Sequence, residues 1–173
     1  MGEIWELERN NMTTLTLTTP AFESEEWIPN RHSGFGEDFS PELHIDGIDA
    51  NAVSMVITLD DLEHPIQPGY NHWVAWNIPP VSVLPEHLPK GAVVEQPLHI
   101  EQGLAYGRHC YRGPKSPFNW NHRYCFTVYV LDTKLNISTS SDKVMVLKAM
   151  EGHILQTGVL YGKYQRKQRK TAK

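Results

Sequence analysis

Short apolar runs alternate along the chain with dense punctuation by Gly, Pro, Asn and Asp, and the runs are rich in β-branched residues. Such a pattern predicts strands joined by loops. Thr14-Leu15-Thr16-Leu17-Thr18 alternates with period two and stops at Pro20. Segment 52–59 (AVSMVITL) is nearly all apolar, which predicts a strand covered on both faces. In 72–78 (HWVAWNI), strict alternation puts His72, Val74 and Trp76 on one face and Trp73, Ala75 and Asn77 on the other. The longest predicted strand is 123–131, with Tyr124, Phe126, Val128 and Val130 facing one way and Arg123, Cys125, Thr127, Tyr129 and Leu131 the other. Segment 159–164 predicts a final strand.

One helix is expected after residue 140. Ser140 or Ser141 supplies a cap and Asp142 suits the positive end of the helix dipole. Val144, Leu147, Met150 and Ile154 form an apolar stripe, and Gly152 marks the end. The stretch 79–111 is rich in Pro and Gly and weakly patterned, which predicts loops used in function or held by packing. No repeat or linker divides the chain. The expected organisation is a disordered extension at 1–12, one domain at 13–164 and a basic tail at 165–173.

Composition narrows the class. With 173 residues, 40% hydrophobic and 21% charged, the chain falls in the ordinary range of one globular domain. No apolar run approaches the roughly 18 residues of a membrane span. The acidic start, Met1 to Arg9, has no apolar core of the kind a secretory signal carries, so a cytoplasmic location is expected. Cys110 and Cys125 are too few for a disulfide framework and are expected to be inert, reduced thiols. Six of the sixteen basic residues, and none of the twenty acidic ones, lie in 161–173, so that segment carries +6 and the rest −10. Without interleaved aromatics or a recognition motif, so short a basic tail does not predict nucleic-acid binding.

Three places gather polar residues at predicted strand ends: Asp60-Asp61-Leu62-Glu63-His64-Pro65, then His72, then Gly113-Pro114 followed by His122-Arg123-Tyr124. Strands that start and stop at one sheet edge bring Asp61, His72 and His122 together. Two imidazoles and a carboxylate have two uses. They ligate zinc or iron, or the rings donate to an anion while the carboxylate fixes tautomer and orientation. The residue types leave both open. No GxSxG elbow, P-loop, GxGxxG or HExxH motif is present, and no serine or cysteine reads as an activated nucleophile, although Cys110 next to His109 and Cys125 near His122 keep that open. No catalytic residue, metal ligand or cofactor is therefore assigned.

At these residues the sequence resembles the phosphatidylethanolamine-binding protein family, specifically its bacterial Raf-kinase-inhibitor-like branch. The likeness runs from about Leu15 to Tyr164. It opens with Leu17-Thr18-Thr19-Pro20-Ala21-Phe22 and with Gly36-Glu37-Asp38-Phe39-Ser40-Pro41-Glu42-Leu43. It continues through Asp60–Pro65 and an intact His72-Trp73-Val74-Ala75-Trp76-Asn77-Ile78-Pro79. Tyr111-Arg112-Gly113-Pro114, His122-Arg123-Tyr124 and Ala149-Met150-Glu151-Gly152-His153 follow in order.

The resemblance implies a mostly β fold, a β-sandwich with a few peripheral helices, and a small anion pocket at one end. It implies a pocket of Asp61, His72, Gly113, Pro114, His122 and Tyr124, flanked by Tyr70. His72 and His122 would donate to the anion, Asp61 would orient an imidazole, and Tyr124 would give a hydroxyl or a wall. The implied ligand is an anionic, phosphate-bearing small molecule or head group, with no catalysis. A protein partner in signalling is the alternative, and a metal-dependent hydrolase built on Asp61, His72 and His122 a weaker one. Dimers occur in the branch, which allows a homodimer here.

The chain also departs from the family pattern. Leu62 and Glu63 replace a proline and an aspartate, which predicts a less rigid acidic loop. Between Gly113 and His122, bulky Phe118 and Trp120 are expected to narrow or cover the mouth, and Lys115 to add attraction for an anion.

Overall fold

The computed structural model describes residues 14–166. The sequence expectations for 1–12, and for the tail beyond Arg166, lie outside the described residues. Two sheets form the body. Strands β1 (Thr16–Thr18), β2 (Leu43–Asp46) and β5 (Val83–Leu84) make a three-stranded sheet in the order β1-β2-β5. The other sheet has six strands in the order β6-β7-β4-β3-β8-β9: β3 (Ser54–Asp61), β4 (Tyr70–Ile78), β6 (Val93–Val94), β7 (Ile100–Gln102), β8 (His122–Leu131) and β9 (Ile154–Tyr164). All recorded pairings within the sheets are antiparallel.

The main core lies on the inner face of the six-stranded sheet. Met55, Ile57 and Leu59 of β3, Trp73 and Ala75 of β4, and Tyr124, Phe126, Val128 and Val130 of β8 pack there with Leu17, Leu43 and Ile45 of the small sheet. A second core on the outer face holds Val56, Val74, Trp76 and Leu131 beneath the helix α1 (Lys143–Met150), which contributes Val146 and Met150. Every residue of β3 is buried, as its continuous apolar run predicts.

The helix differs from its predicted stripe. Asp142 itself is the N-cap, its carboxylate accepting from the Met145 amide at 3.0 Å, so the periodic face shifts to Val146 and Met150. Val144 is exposed, and Ile154 already belongs to β9, which begins five residues earlier than the β-branched run suggested. Asp142→Ala should lower stability by about 1 kcal/mol, read from the urea midpoint. α1 is the single α-helix among the described residues, as the residue pattern predicts, with one 3-10 turn at Asn30–His32. The weakly patterned 79–111 stretch contains the short strands β5, β6 and β7, each of two or three residues and too brief to show a period.

Candidate functional site

Antiparallel pairing fixes the site. Asp61 closes β3 and stands in register with Tyr70 at the start of β4 and with Tyr124 near the start of β8. Three strand ends thus meet at one edge of the sandwich. The β3–β4 register slips there: Leu59 faces Trp73, but Asp60 faces Asn71, leaving His72 as an extra residue. Such a bulge re-aims a side chain. Strict alternation had put His72 with Val74 and Trp76. The bulge instead turns it toward the inner face, its ring edge-on to Tyr124 at 5.5 Å and to Tyr70 at 6.0 Å.

Each imidazole is held by its Nδ1. His122 donates from Nδ1 to Asp61 Oδ2 at 2.7 Å, with both side chains nearly fully buried. The other carboxylate oxygen accepts from the Glu63 amide at 3.0 Å. Glu63 Oε2 in turn accepts from the Arg123 amide at 3.3 Å, and the Gly69 amide donates to the Asp61 carbonyl at 2.8 Å. The acidic loop is therefore pinned at both ends, despite lacking the proline that the resemblance led us to expect. His72 Nδ1 faces the carbonyls of Arg112 at 3.0 Å and Gly113 at 3.2 Å. Carbonyls only accept, so Nδ1 carries the proton and Nε2 is left for a ligand. Burial lowers the His72 pKa below the usual imidazole value, against smaller opposing pulls from those carbonyls and from Asp61.

Two hydroxyls lack partners. Tyr124 Oη and Ser116 Oγ are buried without a hydrogen bond. Burial, then the Asp61 charge, raises the Tyr124 pKa far above its ordinary value, so the phenol stays a neutral donor. Ser116 and the Lys115 main chain lie near that phenol and partly offset the rise, although neither meets it in hydrogen-bond alignment. Buried polar atoms in native proteins are rarely left so, and these two mark a place for water or ligand.

The 112–114 segment is held from behind. Asp38 accepts from the Gly113 amide at 2.7 Å and pairs with Arg112 at 3.1 Å, while the Pro114 carbonyl accepts from the Gly34 amide at 2.8 Å. Asp38 is therefore a positioning residue, to which the sequence reading gave no role of its own. Its signal was the Gly36–Leu43 block. Tyr106, whose ring stands 5.0 Å from His72 and under the Arg112 guanidinium, and Ser116 were also missed, because both lie in stretches without a period. Phe118 and Trp120 do not pack down over the histidines as buried lids. Their rings lie 5.5 Å apart, and both stay exposed, Phe118 largely and Trp120 by half. A cavity of about 80 Å³ opens on the other side of Asp38, lined by Phe39, His87, Lys90 and Cys110 rather than by the histidines. Burial pushes up the pKa of both thiols, Cys110 and Cys125, which are free.

Asp61 serves as a hydrogen-bond acceptor for His122 rather than as a third ligand beside two rings, and no three His, Cys, Asp or Glu residues among those described converge on a metal position. No helix among the described residues is long and apolar enough to cross a membrane.

The two-sheet β fold is shared with solved proteins, and the sequence places the chain among them. A sequence model of the phosphatidylethanolamine-binding protein family matches residues 18–165, and the chain belongs to that family. A UPF0098 protein of Pyrococcus abyssi is 47% identical, over 88% of this chain and 86% of its own. The UPF0098 protein YbhB of Escherichia coli is 32% identical over 69% and 80%. Among solved structures, a putative phosphatidylethanolamine-binding protein homologue from Chlamydia trachomatis superposes with TM-score 0.79 at 32% identity, covering 89% of this chain and 99% of that one. Escherichia coli YbcL gives 0.78 at 24%, a likeness of fold, over 90% and 100%. The relatives are archaeal as well as bacterial, and none of these names carries a catalytic activity.

Proposed function

We propose that the protein is a non-catalytic, cytoplasmic binding protein whose pocket at the Asp61 edge holds a phosphate-bearing group. The observation that carries this reading is the pair of imidazoles fixed at Nδ1, each with Nε2 left over, beside the unpartnered Tyr124 and Ser116 hydroxyls. A tetrahedral phosphate has oxygens enough to meet them all. His122 as imidazolium donates from Nε2 while Asp61 accepts at Nδ1, and the two hydroxyls donate to further oxygens. Neutral His72 accepts at Nε2 from a P–OH group, or donates there once protonated. Gly113 and Pro114 supply the backbone wall, and Tyr70 flanks it.

Either arrangement at His72 places at least one more proton in the complex than in the free protein plus a phosphate dianion. Proton uptake is therefore expected when phosphoethanolamine binds above pH 7. Calorimetry in two buffers of different ionisation enthalpy measures it, and binding with no uptake would count against this pairing. In the ligand-free protein the sign runs the other way for stability. The His72 pKa is lowered in the fold, so below about pH 6.5 the unfolded chain takes up the proton first and stability falls with pH. His72→Gln should flatten that part of the profile.

The direct test is the imidazole NMR signals of His72 and His122 during addition of phosphoethanolamine, with zinc added in parallel. Saturable shifts with the phosphate compound are expected. Silence with phosphate and a stoichiometric response to zinc would replace this reading with a metal site.

A further inference from the structure

We propose that Asn71, Asp60 and Lys143 are positioning residues: from the outer face of the six-stranded sheet they clamp the β4 bulge and so aim His72 into the pocket on the inner face. This deepens the phosphate-pocket reading, and its consequence for the ligand rests on that reading. A bulge leaves one residue unpaired and disrupts the ladder beside it, so a side chain that bonds across the gap can set where the extra residue sits. Asn71 does this. Its Nδ2 donates to the Leu59 carbonyl of β3 at 3.1 Å and to the Trp73 carbonyl of its own strand at 2.9 Å. Leu59 and Trp73 stand in register just beyond the slip. The same nitrogen donates to Oδ1 of Asp60, its register partner, at 2.9 Å. All three partners are acceptors, which turns the amide nitrogen toward the bulge, and Asn71 Oδ1 makes no bond. Every recorded bond of this side chain is therefore spent on the bulge. Without the bulge, alternation along β4 returns His72 to the face of Val74 and Trp76, away from Tyr124.

Asp60 is the next link. It is only 6% exposed, and a carboxylate taken that far from water needs a cation and donors around it. Lys143 Nζ donates to Asp60 Oδ2 at 2.7 Å, and the Thr58 hydroxyl stands 3.4 Å from the same oxygen. Lys143 is the first residue of α1, at the positive end of the helix dipole, where a cation is disfavoured. The Asp60 contact gives the lysine a reason to be there. Neighbours in a strand point to opposite faces, so Asp60 and Asp61 serve the two imidazoles from the two sides of one sheet. Asp61 holds His122 directly, whereas Asp60 acts on His72 through Asn71 and the backbone of the bulge. Lys143 ties α1 to that second arrangement.

Nitrogen NMR of the imidazoles in the full chain, before and during addition of phosphoethanolamine, tests the clamp. Asn71→Leu keeps the volume and removes the donors. It is expected to change His72 from a single Nδ1–H tautomer to a mixture and to weaken phosphoethanolamine binding about tenfold. His122 should keep its tautomer in that variant, because Asp61 holds its ring. Lys143→Met leaves Asp60 without its cation and should move His72 the same way, with binding about threefold weaker, whereas Lys143→Arg should behave like the parent. Lys143 is partly exposed at a helix start, so its variants are expected to fold and decide the matter if Asn71→Leu does not. An unchanged His72 tautomer, binding as tight as in the parent, or equal changes at His72 and His122 would overturn the clamp, the last by marking a general loosening. Lys143→Met indistinguishable from the parent would overturn the part given to α1. The tautomer needs no ligand to be read. Parent imidazoles that stay silent to phosphoethanolamine therefore reject the pocket, while an altered His72 tautomer in Asn71→Leu still upholds the clamp.

Discussion

Gly113→Ala is expected to destabilise the protein by more than about 3 kcal/mol and to disorder the pocket, because the added carbon has nowhere to go. It would sit 1.9 Å from the His32 carbonyl oxygen and 2.9 Å from Asp38 Oδ1. The first of these is backbone, fixed by the Tyr111 hydroxyl, which donates to it at 2.7 Å. Relief therefore requires moving the 112–114 segment away from Asp38, which breaks the 2.7 Å bond to its amide and shifts the carbonyls that hold His72. Gly107→Ala is the control. Gly107 has φ 68° and no atom within 4 Å of the added carbon, so that variant suffers only backbone strain, about 1 kcal/mol. A melting temperature lowered by roughly 10 °C for Gly113→Ala, against a few degrees for Gly107→Ala, is the expected pattern. Equal shifts would show that close approach at Gly113 is unimportant.

Asp61→Ala should weaken binding of phosphoethanolamine about 100-fold. The carboxylate is the acceptor that keeps His122 Nδ1 protonated and supports the ring as a cation when Nε2 meets an anion. Removing it leaves a buried imidazole free to change tautomer and unpaired at Nδ1, and the Glu63 amide loses its acceptor as well. Asp61→Asn keeps the shape and an oxygen for Nδ1–H but not the charge, so a loss of about tenfold is expected. Calorimetric titration, with urea unfolding to confirm that both variants fold, checks the order. Binding by Asp61→Ala within about threefold of the parent would remove Asp61 from the pocket and point to the Asp38 side of the molecule.

These effects share one architecture. The site stands on strand ends rather than on long loops, so its geometry follows from the pairing of β3 with β4 and β8. The more mobile kind of element enters only through 112–116, and Asp38 and Gly34 clamp that segment from outside the sheet. Rigid elements of this sort hold polar groups ready for a ligand without reorganisation at the moment of binding.

The sequence alone determined β3 and β8, because period and β-branching over eight to ten residues are local properties. The all-apolar run of β3 and the two faces of β8 follow from it directly. It also made the gathering of Asp61, His72 and His122 legible, since each sits at the end of such a strand. Tertiary structure decided what depends on partners. The bulge that turns His72 to the face of Tyr124 arises from register between two strands, which no pattern within β4 reveals. The strands in 79–111 exist because longer neighbours offer them an edge, not because two or three residues have a preference of their own. Asp38 reaches Gly113 across 75 residues, and the Tyr124 and Ser116 hydroxyls become orphans only when the core closes around them. Hydrogen-bond accounting of that kind has no local signature, because burial and partner are both properties of the folded whole.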